Sequence, residues 1–535
     1  MVNRPRFVYF FCIFLTLYHL TARIGLSVDI QWHLDVGRDR MLTPPHVMIL
    51  AGFPFCILFS LYYLIINTKD YKSGKEISGF KMFGFIAPGS VWMILLGMVS
   101  IGIGAIYDDY WHAQFGIDTT VITPPHMFTL FGGMLAEFAS VLLVRDLMEF
   151  DTKNQFKGKR VLAAILLWTL LLHGSFAFLN FIDPRAATIS VFGFTTMLHL
   201  YFGPMVVIAI LLIGNQWFDN KVIYILGGFT FAIQSAMFVL IPMAVDVLMG
   251  PSHAYRPGAP NVVWAAHCVP YLFILVAFIF AKFDLANRPN LLVMIALLSD
   301  VIFSPFLPVN YPSEVGFLIT MVNLAGAFLL LRLSIPLLQR YYARILSSLD
   351  SGIIDFRPKI KSVAVLLVLL FISPVSAHNN NFEEGSGFDA PMRIEVDIDG
   401  IEVWVEFMLW PPKAPQSCEI LLVAEDNESR IDSMWTEIVF LDDNGEVRMI
   451  QKFEQYPDQS IWFGENYFTF SGNQTLEIKA SIDGEEFTDH ISLEVDPPAS
   501  IPVWLAWTLS SIWVFAIYAI PYLAAGMRRT LECEE

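Results

Sequence analysis

Runs of roughly 18 to 25 apolar residues, each long enough to cross a hydrocarbon core as helix, recur from Phe7 almost to the C-terminus. Lipid offers no hydrogen bonds to an open backbone, so each such run must satisfy its own polar groups within one helix. The chain is 55% hydrophobic with a mean hydropathy of +0.56, far more apolar than a protein that keeps a polar surface. The pattern predicts an all-α polytopic membrane bundle of about twelve transmembrane helices. Their starts fall near residues 8, 46, 82, 126, 160, 195, 222, 263, 290, 316, 361 and 502. The first run ends in Ala22-Arg23-Ile24, a poor cleavage site, and is expected to stay as helix one rather than leave as a signal peptide.

Basic residues set the expected orientation. Arg4 and Arg6 precede the first span, Lys69, Lys72, Lys75 and Lys81 follow the second, and Lys153 to Arg160 follow the fourth. Arg340 to Lys361 and Arg528-Arg529 continue the rule, so both termini are expected in the cytoplasm. Residues 378–500 hold 27 acidic against 6 basic side chains, an excess larger than the whole net charge of −17. That acid excludes a nucleic-acid partner, which needs a basic face, and disfavours docking to anionic lipid. The five cysteines lie far apart, and only Cys418 falls in the acidic segment, so no disulfide framework is available.

Five regions follow. Residues 1–150 form a metal-binding membrane domain by the argument below, and 151–335 add further spans. Residues 336–377 are a basic interfacial segment and a span, 378–500 an extracytoplasmic all-β sandwich, and 501–535 a C-terminal anchor with a cytoplasmic tail. The β reading rests on alternation: Met392, Ile394, Val396 and Ile398 alternate with charged residues, and Asp399-Gly400 turns into Ile401, Val403, Val405 and Phe407. Asp443-Asn444-Gly445 and Asp483-Gly484 supply further turns at the spacing of a small sandwich.

The chain repeats itself. DIQWHLDVGRDRMLTPPH joins spans one and two, and DDYWHAQFGIDTTVITPPH joins spans three and four. Asp29 and His33, four apart, share a helix face, and Thr43-Pro44-Pro45 then opens a helix with His46 in its first turn. Asp108, His112 and His126 repeat the arrangement behind Thr123-Pro124-Pro125. A fainter third copy runs from Asp183 to His199 without the middle histidine. A fourth comprises Asp246, His253 and His267 and keeps the thirteen-residue interval between histidines.

Two imidazoles and a carboxylate suit copper, zinc or ferrous iron. The positive end of a helix dipole keeps His46 and His126 neutral, the ligand form. Read without a metal, these would be interfacial polar residues, with Trp32 and Trp111 as belt aromatics. Glu137 lies eleven residues beyond His126 on the same helix face and is a candidate proton acceptor beneath the second cluster, or else a helix-bridging carboxylate. His19 and His173, each alone within a span, read as satisfied core histidines.

The first cluster resembles the signature of one metal-bearing membrane subunit of the copper membrane monooxygenases, the particulate methane and ammonia monooxygenases. The matching residues are Asp29, Trp32-His33, Arg38-Asp39 and Thr43-Pro44-Pro45-His46. Asp108, His112 and His126 resemble the second cluster of that same subunit in position and interval, with Asp where the family usually has Asn. The resemblance covers roughly residues 8–145. It implies a membrane copper site, dioxygen, a small apolar or ammonia-like substrate, and possible partner subunits. Beyond residue 145 the sequence departs from the pattern, with extra spans and a β-domain on the same polypeptide. Val375-Ser376-Ala377 before His378 looks like an internal signal-peptide end, and cleavage there would resemble the copper-binding N-terminus of the family's β-domain. An ordinary eleventh span is the simpler reading. The expected function is a membrane copper monooxygenase or its metal-bearing subunit; the alternatives are a copper or zinc handling protein and a non-catalytic membrane protein held together by metal.

Overall fold

The computed structural model describes residues 4–35, 43–115, 123–179, 188–249, 273–303, 317–349, 353–355, 392–407, 416–424, 431–455, 460–468, 471–497 and 502–532, apart from isolated positions. The helices are α1 (Pro5–Asp35), α2 (Pro44–Leu50), α3 (Phe53–Lys72), α4 (Gly89–Phe115), α5 (Pro124–Phe150) and α6 (Lys159–Leu179). They continue as α7 (His199–Trp217), α8 (Asn220–Met249), α9 (Pro289–Phe303), α10 (Phe317–Leu349) and α11 (Val503–Glu532). Among the described residues six helices are long and apolar enough to cross a membrane, and three shorter apolar helices accompany them. The chain is therefore a multi-span helical region plus a separate β-domain. The span expected near 263 is described only from residue 273, where it is helical to 283, and the span expected near 361 lies outside the described residues.

Helix ends follow local chemistry. Thr43 and Thr123 are extended (ψ 159° and 166°), their carbonyls accept the Val47 and Met127 N–H groups at 2.9 Å, and two prolines follow each. The backbone matches the expected N-cap, but neither hydroxyl makes a cap hydrogen bond. The third span starts later than the apolar run suggests. Strands β1 (Gly79–Met82) and β2 (Phe85–Ala87) pair across Phe83-Gly84, both at positive φ (53° and 82°), and the helix begins only at Gly89. A similar hairpin, β3 (Thr188–Val191) with β4 (Phe194–Met197), precedes α7. The segment after residue 336 stays helical to Leu349, and β5 (Ile353–Asp355) then adds to β1 in parallel.

Basic groups gather at one end of the bundle. Arg4 pairs with Asp70 at 3.2 Å, Lys75 reaches Asp70 at 2.7 Å, the Tyr9 hydroxyl donates to the Lys157 carbonyl at 2.8 Å, and Arg160 meets Asp219 at 2.7 Å. The start of α1, the end of α3 and the loops α5–α6 and α7–α8 thus lie together, and the far ends of α1 and α4 carry Asp29 and Asp108. In the α5–α6 loop, burial opposes the Asp151 charge. The Lys159 ammonium and the Phe156 and Gln155 N–H groups outweigh it and hold the carboxyl below its ordinary range.

The C-terminal helix is built into the bundle, not appended to it. Trp513 stacks on Phe128 at 5.4 Å and donates its N–H to Ser100 at 2.9 Å, and the Tyr518 hydroxyl donates to the Phe131 carbonyl at 3.0 Å. Trp513 and Ile517 belong to the same apolar core as α1, α4, α5 and α6.

The β-domain has two antiparallel sheets. One orders β11 (Glu454–Gln455), β12 (Ile461–Phe468), β8 (Gln416–Ala424), β7 (Ile401–Phe407) and β6 (Met392–Ile398). The other orders β10 (Gly445–Lys452), β9 (Ile431–Asp442), β13 (Gly472–Ile482) and β14 (Glu485–Val495). Both contribute to one core, from Val403 and Phe407 to Leu476 and Ile491. The expected hairpin at Asp399-Gly400 forms with Ile398 opposite Ile401, and the turn residues have φ of 54° and 78°. Asp483-Gly484 repeats it between β13 and β14.

Candidate functional site

At the end of the bundle opposite the basic loops, two helix pairs each bring an aspartate against a histidine. Asp29 Oδ1 stands 3.3 Å from His46 Nε2, and Asp108 Oδ1 stands 3.4 Å from His126 Nε2. Two ligands each about 2.1 Å from one tetrahedral ion are themselves about 3.4 Å apart. Both pairs have that separation, and Asp29 is buried while its partner and the second pair are partly exposed. The backbones of His33 and His112 continue α1 and α4 one turn beyond the aspartates; their side chains lie outside the described residues. Among the described residues no group of three His, Cys, Asp or Glu side chains stands ready to hold an ion.

The close approach of each pair is enforced one turn earlier. A Cβ on Gly25, four residues before Asp29, would lie 2.7 Å from Met48 Cβ; one on Gly104, four before Asp108, would lie 2.9 Å from Phe128 Cβ and 2.5 Å from Thr129 Cγ2. Met48 and Phe128 each follow their histidine by two residues, so the repeat includes a glycine that motif spacing alone did not single out. A second crossing lies deeper, at Gly52 and Gly132, each six past its histidine. There a Cβ would meet Tyr18 Cδ2 at 2.2 Å and Ser100 Cβ at 2.6 Å, respectively. Trp32 and Trp111 are both 6% exposed and pack inside the protein, Trp111 edge-on to Tyr107.

The weaker candidates fall at or beyond the limits of the described residues. Asp246 lies on α8 with its side chain outside the described residues, as does that of His199 on α7. Asp183, His253, His267 and His378 lie wholly outside them.

Midway along α5, Glu137 is fully buried and ringed by ionisable groups from two other helices. Arg23 Nε lies 3.0 Å from Glu137 Oε1, His173 Nδ1 2.8 Å from Oε2, and His19 Nδ1 3.8 Å from Oε1. His19 Nε2 is 3.1 Å from Ser140 Oγ. Gly133 leaves room for the ring of His173, since a Cβ there would sit 2.7 Å from His173 Cε1. The two histidines expected to be separate core residues therefore share one carboxylate. Arg23 was visible as a charge within an apolar run, and its four-residue step from His19 puts both on one face of α1. Nothing in one sequence tells which helices those faces meet. The cluster also marks where the two copies diverge: the position equivalent to Glu137 is Ile57, and those equivalent to Arg23 and His19 are Gly102 and Met98. No protein-family model matches the chain, and no curated protein matches it in sequence.

Proposed function

We propose that the chain is a membrane copper oxidoreductase of the methane and ammonia monooxygenase type, or the metal-bearing subunit of one. The observation that carries this reading is the pair of Asp–His approaches at 3.3 and 3.4 Å, at equivalent positions of two helix pairs. Asp29, His46 and His33 would hold one ion and Asp108, His126 and His112 a second, with zinc or iron as the other metals such donors take. Bound copper would supply one-electron chemistry towards dioxygen and a small, poorly reactive substrate. The chain's own part is to hold those donors at fixed separation, to pack the rings of Trp111, Tyr107 and Phe128 together on the two helices that carry the second pair, and to keep an ionised Glu137 beneath as a proton-relay group. The basic end is read as cytoplasmic and the Asp/His end as extracytoplasmic. The β-domain is read as a sandwich on that outer side, in the plasma membrane, with further subunits as possible partners.

Metal handling is the second reading. The mid-depth cluster favours it, because a transporter needs polar groups beyond the outer mouth. Metal analysis and electron paramagnetic resonance on protein purified from native membrane test the proposal. His46→Ala and His126→Ala should each lose one of two bound coppers, and the double variant both. Retention of metal by the double variant, or none bound by the wild type, overturns it. Copper flux into proteoliposomes without substrate oxidation would select the second reading.

A further inference from the structure

The hydrogen bonds around His19 define where its proton sits. Ser140 has one hydroxyl hydrogen, and its shortest contact, 2.7 Å, is to the Ala136 carbonyl one turn back. The hydroxyl oxygen is then the acceptor for His19 Nε2 at 3.1 Å, so Nε2 carries the imidazole hydrogen. Nδ1 of a neutral His19 is therefore a bare lone pair, and it faces Glu137 Oε1 across 3.8 Å. Two acceptors confront each other there, too far apart for a hydrogen bond and lacking a hydrogen to share. Glu137 Oε2 accepts from the His173 Nδ1–H at 2.8 Å, while Oε1 faces Arg23 Nε at 3.0 Å as an ion pair without hydrogen-bond alignment. Its pairing with Arg23 keeps it a carboxylate that adds negative potential to the His19 gap.

We propose that this gap, between His19 Nδ1 and Glu137 Oε1, is a proton-binding site in the middle of the bundle. A proton taken up at Nδ1 makes His19 an imidazolium that donates to Glu137 while Nε2 still donates to Ser140, and the 3.8 Å gap closes to hydrogen-bond length. The charged groups that face His19 are Arg23 on its own helix, Glu137 from α5 and His173 from α6. Tyr18 packs beside its ring at 5.1 Å. Among the described residues α2, α3 and α8 bring no further charge to it. His173 is set the opposite way: its Nδ1–H donates to Glu137, which leaves Nε2 as the bare nitrogen, buried without a hydrogen-bond partner among the described residues. The bare His173 Nε2 is a second buried proton acceptor beyond the gap. The site deepens the relay role given to Glu137 but rests on the geometry around that carboxylate and not on the metal reading. Loss of metal binding would leave it standing.

Nitrogen-15 resonance of histidine-labelled full-length protein in lipid, taken from about pH 9 down to about pH 3, tests the site. At the alkaline end one signal, missing in His19→Gln, should show the Nε2–H tautomer. It should become imidazolium on acidification while the protein stays folded. Ser140→Ala removes the acceptor of Nε2, so the hydrogen should move to Nδ1 and point at Glu137, and the alkaline signal should switch to the Nδ1–H tautomer. Should His19→Gln not fold, assignment by through-space transfer to the Glu137 carboxyl carbon serves instead. A His19 signal that stays neutral across the range, or an alkaline Nδ1–H tautomer in the wild type, overturns the proposal.

Discussion

Gly104 lets α5 come within reach of Asp108, because its missing methyl group is the space that Phe128 and Thr129 occupy. Gly104→Ala should therefore push the start of α5 outward, at a cost of about 1–3 kcal/mol typical of overpacking. Differential scanning of the purified protein should show a lower unfolding temperature, and the second Asp/His pair should lose metal before the first. Gly228 on α8 is the control: a Cβ there meets nothing within 4 Å, so Gly228→Ala should hold or raise the unfolding temperature. Two aspartates, two histidines and their prolines were legible in the sequence because they recur at matched spacing. Gly25 and Gly104 recur too, but a glycine carries no chemistry of its own and shows its purpose only once the crossing helix is in place. Glu137 was legible as a charge that an apolar helix must account for. Its partners His19 and His173 were not, since periodicity assigns a residue to a face and says nothing of what the face meets.

At the scale of elements, the β-domain hairpins at Asp399-Gly400 and Asp483-Gly484 needed least help from packing, as each is specified by a local turn and strict alternation. The membrane helices were legible as helices, but their starts were blurred where hairpins such as β1–β2 are as apolar as the spans they precede. The role of α11 was hidden altogether: composition marks it as one more apolar helix, and only its contacts tie it to the second Asp/His pair. Trp513→Phe keeps a ring on Phe128 and removes the hydrogen bond to Ser100, whereas Trp513→Ala removes both. The alanine variant should therefore lower the unfolding temperature more than the phenylalanine one. Metal loss, followed by paramagnetic resonance, should be confined to the pair at Asp108 and His126, since Trp513 packs beside Phe128 and makes no described ring contact or hydrogen bond with the first pair.

Across the whole molecule, charge is sorted by depth: basic loops at one end, Asp/His pairs at the other, and a compensated cluster between. Asp151 anchors the basic end through Lys159 and two backbone N–H groups. Its folded-state carboxyl lies below the ordinary range, so this contribution is full above the unfolded value of about 4 and fades as pH falls through the folded one. Asp151→Asn should thus unfold at lower temperature than wild type near neutral pH, and the difference should shrink towards strong acid. The central pairing of Arg23 with Glu137 has a consequence for how the protein is made. An arginine near the centre of a spanning helix costs about 2.5–3.5 kcal/mol on insertion scales, and α1 leaves the ribosome long before α5 exists to neutralise it. Integration of the first helix is then provisional until the fifth arrives, so nascent chains truncated before Glu137 should remain extractable from the membrane in a way that longer ones do not.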